Sequence, residues 1–132
     1  MKKEKFYQIT VTEDQLILMS RAIEDWSRFL AGQTELWNAS SQLPDYLLLR
    51  EKLEDLQSLV TPELPLGASY GWDGGSCPNE WQRKSIAMSY GIYREIEHFL
   101  AIQKGCTQSV YLSKTLRCPD QGPLIKIEEL KK

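Results

Sequence analysis

The chain has 132 residues, 42% of them apolar and 26% charged, with 16 Lys and Arg against 18 Asp and Glu. That length suits one domain and that composition a folded chain, so wholesale disorder is excluded. A net charge of −2 argues against a broad nucleic-acid footprint and leaves room only for a local cationic pocket.

The basic start, Met1-Lys2-Lys3-Glu4-Lys5, leads into Phe6-Tyr7-Gln8-Ile9-Thr10-Val11. This alternation predicts a strand, unlike the apolar core of a signal peptide. Thr12-Glu13-Asp14-Gln15 has the form of a capping box, with two acids suited to the positive end of a helix dipole. The helix it opens is predicted to reach about Ala31, with Gly32 as its stop. Leu16, Met19, Ile23, Trp26 and Leu30 are its predicted core face. A polar linker around residues 38–42 precedes Pro44, expected at the first position of a second helix over residues 45–59. There Leu48, Leu49, Leu53, Leu56 and Leu59 are available for burial. Thr61-Pro62 ends that helix, since proline cannot continue it.

Gly67 to Ser76 is the Gly-rich segment of the chain. Pro78 again reads as a first helical position, and the helix runs to Lys104 before Gly105. Its inner face is expected to be Trp81, Ser85, Met88, Ile92, Ile96 and Phe99. Ser109-Val110-Tyr111-Leu112 and Leu124-Ile125-Lys126-Ile127 read as strands, with turn chemistry in Pro119-Asp120-Gln121-Gly122. The expected fold class is α+β in a single domain, residues 1–132. Two long helices and one or more shorter ones would pack on a small antiparallel sheet of N- and C-terminal strands.

No run approaches the roughly 18 apolar residues of a membrane helix, so a cytoplasmic protein with no membrane partner is expected. Cys77, Cys106 and Cys118 lack CxxC spacing and read as free thiols in a reducing compartment. A zinc site joining them to His98 would need tertiary placement. Nucleophile-elbow, P-loop and HExxH motifs are absent. His98, the one histidine, lies late in a helix and reads more readily as a packing or surface residue than as a base. The expectation is therefore no enzyme, no catalytic residues, no cofactor and no metal.

Three constellations remain. Arg21, Asp25 and Arg28 share a helix face, either as a surface ion-pair ladder or with Asp25 orienting one guanidinium while another meets an anion. Arg28, between Trp26 and Phe29 near the helix end, is the better candidate. Arg83, Tyr90 and Arg94 recur at spacings of seven and four, with Gly91 inside the same helix. Gly91 costs about 1 kcal/mol relative to alanine, and either close packing or room for a flat ligand group would offset it. The Gly-rich loop is either a connector or a ligand loop at a helix start, with Tyr70 and Trp72 as stacking faces.

These elements resemble a pattern shared by small phage and prophage proteins. Asp25-Trp26-Ser27-Arg28 is followed by Gly32-Gln33, then Ala68-Ser69-Tyr70-Gly71, Tyr90-Gly91-Ile92-Tyr93 and His98. Val110-Tyr111 and Pro123-Leu124-Ile125-Lys126-Ile127 close it. The chain resembles the phage anti-Thoeris sponge family along most of its length. That resemblance implies a homo-oligomer that sequesters cyclic ADP-ribose signals made by bacterial TIR enzymes, or in some members the cyclic oligonucleotides of CBASS defence, without cleaving them. On this reading Arg28, Arg83 and Arg94 contact phosphates, and Tyr70, Trp72 or Tyr90 stacks on a base. The partner is a cyclic nucleotide or ADP-ribose-derived small molecule, with no nucleic acid duplex. The alternative is a structural or adaptor protein of phage or prophage origin that binds another protein.

Overall fold

Thr12 starts the first helix as its spacing predicts. Its hydroxyl accepts from Gln15 N at 3.1 Å and its own N–H donates to Gln15 Oε1 at 2.9 Å. In the computed structural model, which describes residues 4–131, this helix is α1 (Glu13–Leu30), and Gly32 with φ 90° ends it. There follow α2 (Trp37–Ser40), α3 (Tyr46–Val60), α4 (Glu80–Gln103), α5 (Ser109–Leu112) and a 3₁₀ turn, Pro119–Gln121.

No strand occurs among the described residues, so the fold is all-helical and the expected α+β class with its antiparallel sheet is corrected. Residues 6–11 lie outside regular structure with Phe6 and Tyr7 78% and 84% exposed. The segment 109–112 is a helical turn, and residues 124–127 are irregular. Alternation is a local property, whereas a strand exists only through a partner ladder. Among the described residues no backbone hydrogen bond supplies that ladder to residues 6–11.

The helices bury their apolar faces against one another. Leu30, Ala31, Tyr70, Cys77 and Ile86 form the core cluster, with Phe29 and Leu64 packed on it. Between α1 and α4 the contact is made through small residues. Ser27 Oγ donates to Ile86 O at 3.2 Å and Ser20 Oγ to Tyr93 O at 3.5 Å. Small side chains let two helices approach closely, and this turns the buried face of α4 away from the predicted one. Ile86, Ala87, Ser89, Tyr90, Gly91, Tyr93, Ile96 and Ala101 are buried, while Trp81 and Met88 are exposed. Of the six predicted inner residues only Ile96 is fully buried. On α1, Leu30 is buried and Leu16, Met19 and Ile23 are half-buried, but Trp26 is exposed.

Glutamines replace leucines as the ties of α3. Gln57 is its buried residue, donating to Ala68 O at 2.8 Å and accepting from Gly67 N at 3.2 Å, whereas Leu48, Leu56 and Leu59 are exposed. From α4, Gln82 Nε2 donates to Leu30 O at 2.8 Å and Val60 O at 2.9 Å, joining the C-terminal ends of α1 and α3. Both prolines sit two positions earlier than expected, before the caps Asp45 and Asn79. Among the described residues, no helix is long and apolar enough to cross a membrane.

Gly91 is explained by packing. A Cβ there would meet Gln121 Cγ at 3.0 Å and Nε2 at 3.1 Å. Gln121 is 2% exposed, and its Nε2 donates to Leu116 O at 3.0 Å. The glycine thus seats the C-terminal segment on α4, which excludes the flat-ligand alternative at that face. Gly91→Val is expected to lower stability by about 2–3 kcal/mol in urea denaturation through overpacking. A change below about 0.5 kcal/mol would show the contact to be slack.

Candidate functional site

The loop after Leu66 is fastened at several points. Tyr70 N donates to Ala31 O at 2.9 Å, and the Tyr70 ring enters the core. Gly74 has φ 82°, and a Cβ there would strike the Arg83 backbone. Only glycine accepts that conformation this close to α4. The loop so seated presses Trp72 onto Tyr90, with ring centroids 4.8 Å apart, and Tyr90 meets Tyr93 edge-on at 5.6 Å.

This arrangement leaves a cleft of about 320 Å³ between the C-terminal end of α1, the loop and the middle of α4. Ser27, Arg28, Ala31, Gln33, Gly71, Trp72 and Tyr93 line it. Arg28 is half-buried and oriented on two sides. Its Nε and Nη2 donate to Glu24 Oε2 at 3.2 and 3.0 Å, and its Nη1 donates to Gln33 Oε1 at 2.8 Å. Burial opposes the charge of Arg28, but the bond and charge of Glu24 more than offset it and raise its pKa. Burial also pushes the Tyr93 hydroxyl up, against the pull of Arg28. Tyr93 therefore faces the cleft as a neutral hydrogen-bonding group at neutral pH.

Behind Arg28 lies a polar seam between α1 and α4. Glu24 Oε1 accepts from Asn38 Nδ2 at 2.8 Å. On α4, Glu97 pairs with Arg94 Nη1 at 3.3 Å. Arg94 Nη2 donates to Val110 O at 2.7 Å. Burial first, then the charge and hydrogen bond of Glu24, raise Glu97 to about 7, with Arg94 pulling the other way.

The sign of the resulting pH dependence follows from linkage. Between an unfolded value near 4.5 and a folded value near 7, the folded chain holds the Glu97 proton and the unfolded chain releases it. Stability is fully present below that window and falls as pH rises through it. Glu97→Gln should remove the dependence. In urea denaturation the variant is expected to lose about 2 kcal/mol less than the parent between about pH 5 and about pH 8. Parallel losses in both proteins would exclude Glu97 as the source.

The sequence-predicted residues separate in the structure. Arg28 and Trp72 line the cleft. Tyr90 backs Trp72 from within the core, and Tyr70 is buried away from the lining. Arg83 is occupied elsewhere, with Nε on Asp120 Oδ2 at 2.9 Å and Nη1 on Cys77 O at 3.0 Å, locking the loop and the 3₁₀ turn to α4. Arg94 is engaged by Glu97 and Val110 O and is not among the residues that line the cleft. Asp25 does not orient a guanidinium, because its carboxylate accepts from Ala39 N at 2.8 Å and Asn38 Nδ2 at 3.1 Å and so anchors α2. Glu24, one residue earlier, has the orienting role.

The start of α4 is not the site either, since the Asn79 side chain accepts from Gln82 N at 2.9 Å. Sequence reasoning missed Gln33, Tyr93, Glu24 and Glu97. The i,i+4 spacing of Glu24 and Arg28 was the available signal for one of them.

His98 Nδ1 pairs with Tyr111 O at 3.0 Å and ties α5 to α4, outside the cleft lining. Among the described residues no cluster of three or more His, Cys, Asp or Glu could hold a metal. The three cysteines are free thiols, and burial pushes those of Cys77 and Cys118 up. No protein-family model, curated protein or solved structure matches the chain.

Proposed function

We propose that the protein is a phage-derived anti-defence sponge that captures a cyclic ADP-ribose or cyclic oligonucleotide signal in this cleft and holds it uncleaved. The observation that carries the reading is that Arg28, a pre-oriented guanidinium, and Trp72 line the same cleft. A guanidinium grips phosphate through a planar fork, and an indole face accepts any base by stacking. Ser27, Gln33 and Tyr93 add polar groups, and the lining contains no acid, histidine or thiol. That chemistry suits capture more than turnover.

The cleft stands at the small end of ligand pockets, so it suits one nucleotide unit, with a second copy of the chain covering the remainder in a homo-oligomer. The setting is the cytoplasm of the bacterial host. Calorimetry with cyclic ADP-ribose isomers and cyclic oligonucleotides tests the proposal, together with recovery of the ligand after heating the complex. Absence of binding at high micromolar ligand sinks it, and recovery of a cleaved product points to an enzyme.

One observation favours the adaptor alternative. Trp26 and Trp81 are both exposed and pair edge-on at 6.3 Å, and Trp37 meets Tyr46 at 6.4 Å. Surface tryptophans grouped in this way are typical anchors of protein contacts. Under the adaptor reading Trp81→Ala abolishes partner capture and Arg28→Ala spares it. Under the sponge reading Arg28→Ala abolishes small-molecule capture and Trp81→Ala spares it.

A further inference from the structure

Glu24 and Gln33 do more than hold Arg28 still, because they divide its donors. A guanidinium carries five N–H groups in one plane. In Arg28 the Nε N–H and one Nη2 N–H are turned to Glu24 Oε2, and one Nη1 N–H is turned to Gln33 Oε1. What remains is one N–H on Nη1 and one on Nη2. Together they form the end of the fork, whose spacing suits two oxygens of a single anionic group. Arg28 and Gln33 line the cleft, whereas Glu24 is not among the lining residues. An anion in the cleft therefore takes the end of the fork while Glu24 keeps its side, and the oriented arginine gives up no bond.

The same arrangement sets how much charge the site can take. Among the described residues lining the cleft, Arg28 is the one charged group, and Glu24 Oε2 lies 3.0 Å from its Nη2. Asn38 Nδ2 ties Glu24 in place at 2.8 Å, and the Glu24 side chain is only 17% exposed. The arginines of α4 add no cation, since Arg83 is paired with Asp120 and Arg94 with Glu97. An incoming anion thus meets two free donors in a field that the neighbouring carboxylate largely cancels.

Stripping water from an ion costs more as its charge grows, in proportion to the square of that charge. A phosphate esterified on both sides carries one charge and two free oxygens, which the two donors match. A terminal phosphate carries close to two charges at neutral pH and three acceptor oxygens. Its third oxygen and second charge find no partner here.

We propose that the cleft selects a doubly esterified phosphate, as in a phosphodiester or a pyrophosphate diester, and turns away a terminal phosphate, with Glu24 setting that preference. This rests on the proposed function for the nucleotide and goes beyond it in the phosphate chemistry. A cyclic signal opened so as to leave a terminal phosphate is then a poor ligand, and the cleft distinguishes an intact signal from its cleaved form by charge.

Adenosine 5′-monophosphate and its methyl ester are the probes, because they share base and sugar and differ by one charge. In calorimetry at about pH 8, where the monoester is a dianion, the methyl ester should bind about tenfold tighter. Glu24→Gln keeps an amide oxygen for Arg28 and removes the charge. Both probes should then gain, the dianion about tenfold more than the monoanion, so that the preference disappears. Equal affinities in the parent, tighter binding of the monoester, or a preference unchanged in Glu24→Gln overturns the proposal.

If neither nucleotide binds, the proposed function fails for single nucleotide units and a second arm still decides. Nitrogen-15 NMR of the arginine side chains is followed with dimethyl phosphate and with methyl phosphate, each at millimolar concentration. Dimethyl phosphate should shift Nη1 and Nη2 of Arg28 and leave Nε on Glu24 unmoved, and methyl phosphate should shift them less. No response to dimethyl phosphate, a shift at Nε, or an equal response to both anions overturns the proposal whatever the nucleotide.

Discussion

Arg28→Ala is expected to weaken capture of the ligand by about 100-fold, the equivalent of roughly 3 kcal/mol. The magnitude comes from losing two charge-assisted hydrogen bonds to phosphate in a site where Glu24 and Gln33 have already set the angle of the fork. Arg28→Lys separates charge from geometry. It keeps the cation but has no planar fork, and a loss of about tenfold is expected. Trp72→Ala removes the stacking wall and should cost about 1–3 kcal/mol of binding.

Arg83→Ala acts elsewhere. That residue holds the loop through Asp120 and Cys77 O, so its removal should lower stability while leaving most of the affinity at saturating protein stability. Calorimetric titration of the four variants gives the order Arg28→Ala, Trp72→Ala, Arg28→Lys, Arg83→Ala, from weakest to tightest. Equal affinity of Arg28→Ala and the parent would remove the cleft from consideration.

Gln82→Leu should have the largest effect on stability, a loss of about 2–4 kcal/mol. One amide nitrogen donates to the terminal carbonyls of two helices, Leu30 O in α1 and Val60 O in α3. The last carbonyls of a helix have no partner within it, and an apolar side chain would leave both without one in a half-buried place. Leucine has similar bulk, so the loss would measure the hydrogen bonds more than a cavity. Because α3 has Gln57 as its buried residue, it is held by polar ties more than by a leucine seam. Its detachment should therefore precede global unfolding. Hydrogen exchange should show the protection of α3 falling before that of α1 and α4, and uniform loss of protection would contradict this order.

Much of the helical framework was legible from local chemistry. The capping box at Thr12, the stops at Gly32 and Gly105 and the break at Pro62 act within a few residues of themselves. A local signal therefore places them correctly, to within two positions at Pro44 and Pro78. Cleft membership was legible only in part. Arg28 and Trp72 could be picked by type, but Arg83 and Arg94 have the same type and are held by Asp120 and Glu97. Nothing in their spacing along the helix announces those partners. Nothing in its spacing sets Tyr93 apart from a core or interface tyrosine, and it reaches the cleft because the Ser27 and Ser20 contacts bring α1 close against α4.

By itself the sequence determined where the three longer helices α1, α3 and α4 begin and end to within two positions, that one face of each is partly apolar, and that cationic and aromatic side chains are available near the end of α1. These follow from hydrogen bonding and sterics over three or four residues. The tertiary structure decided that the alternating segment 6–11 has no partner strand, that small residues set the buried face of α4, and which arginine is left at a cleft. Each of those outcomes depends on contacts between residues far apart in the chain, where the competition among possible partners is settled by packing and not by pattern.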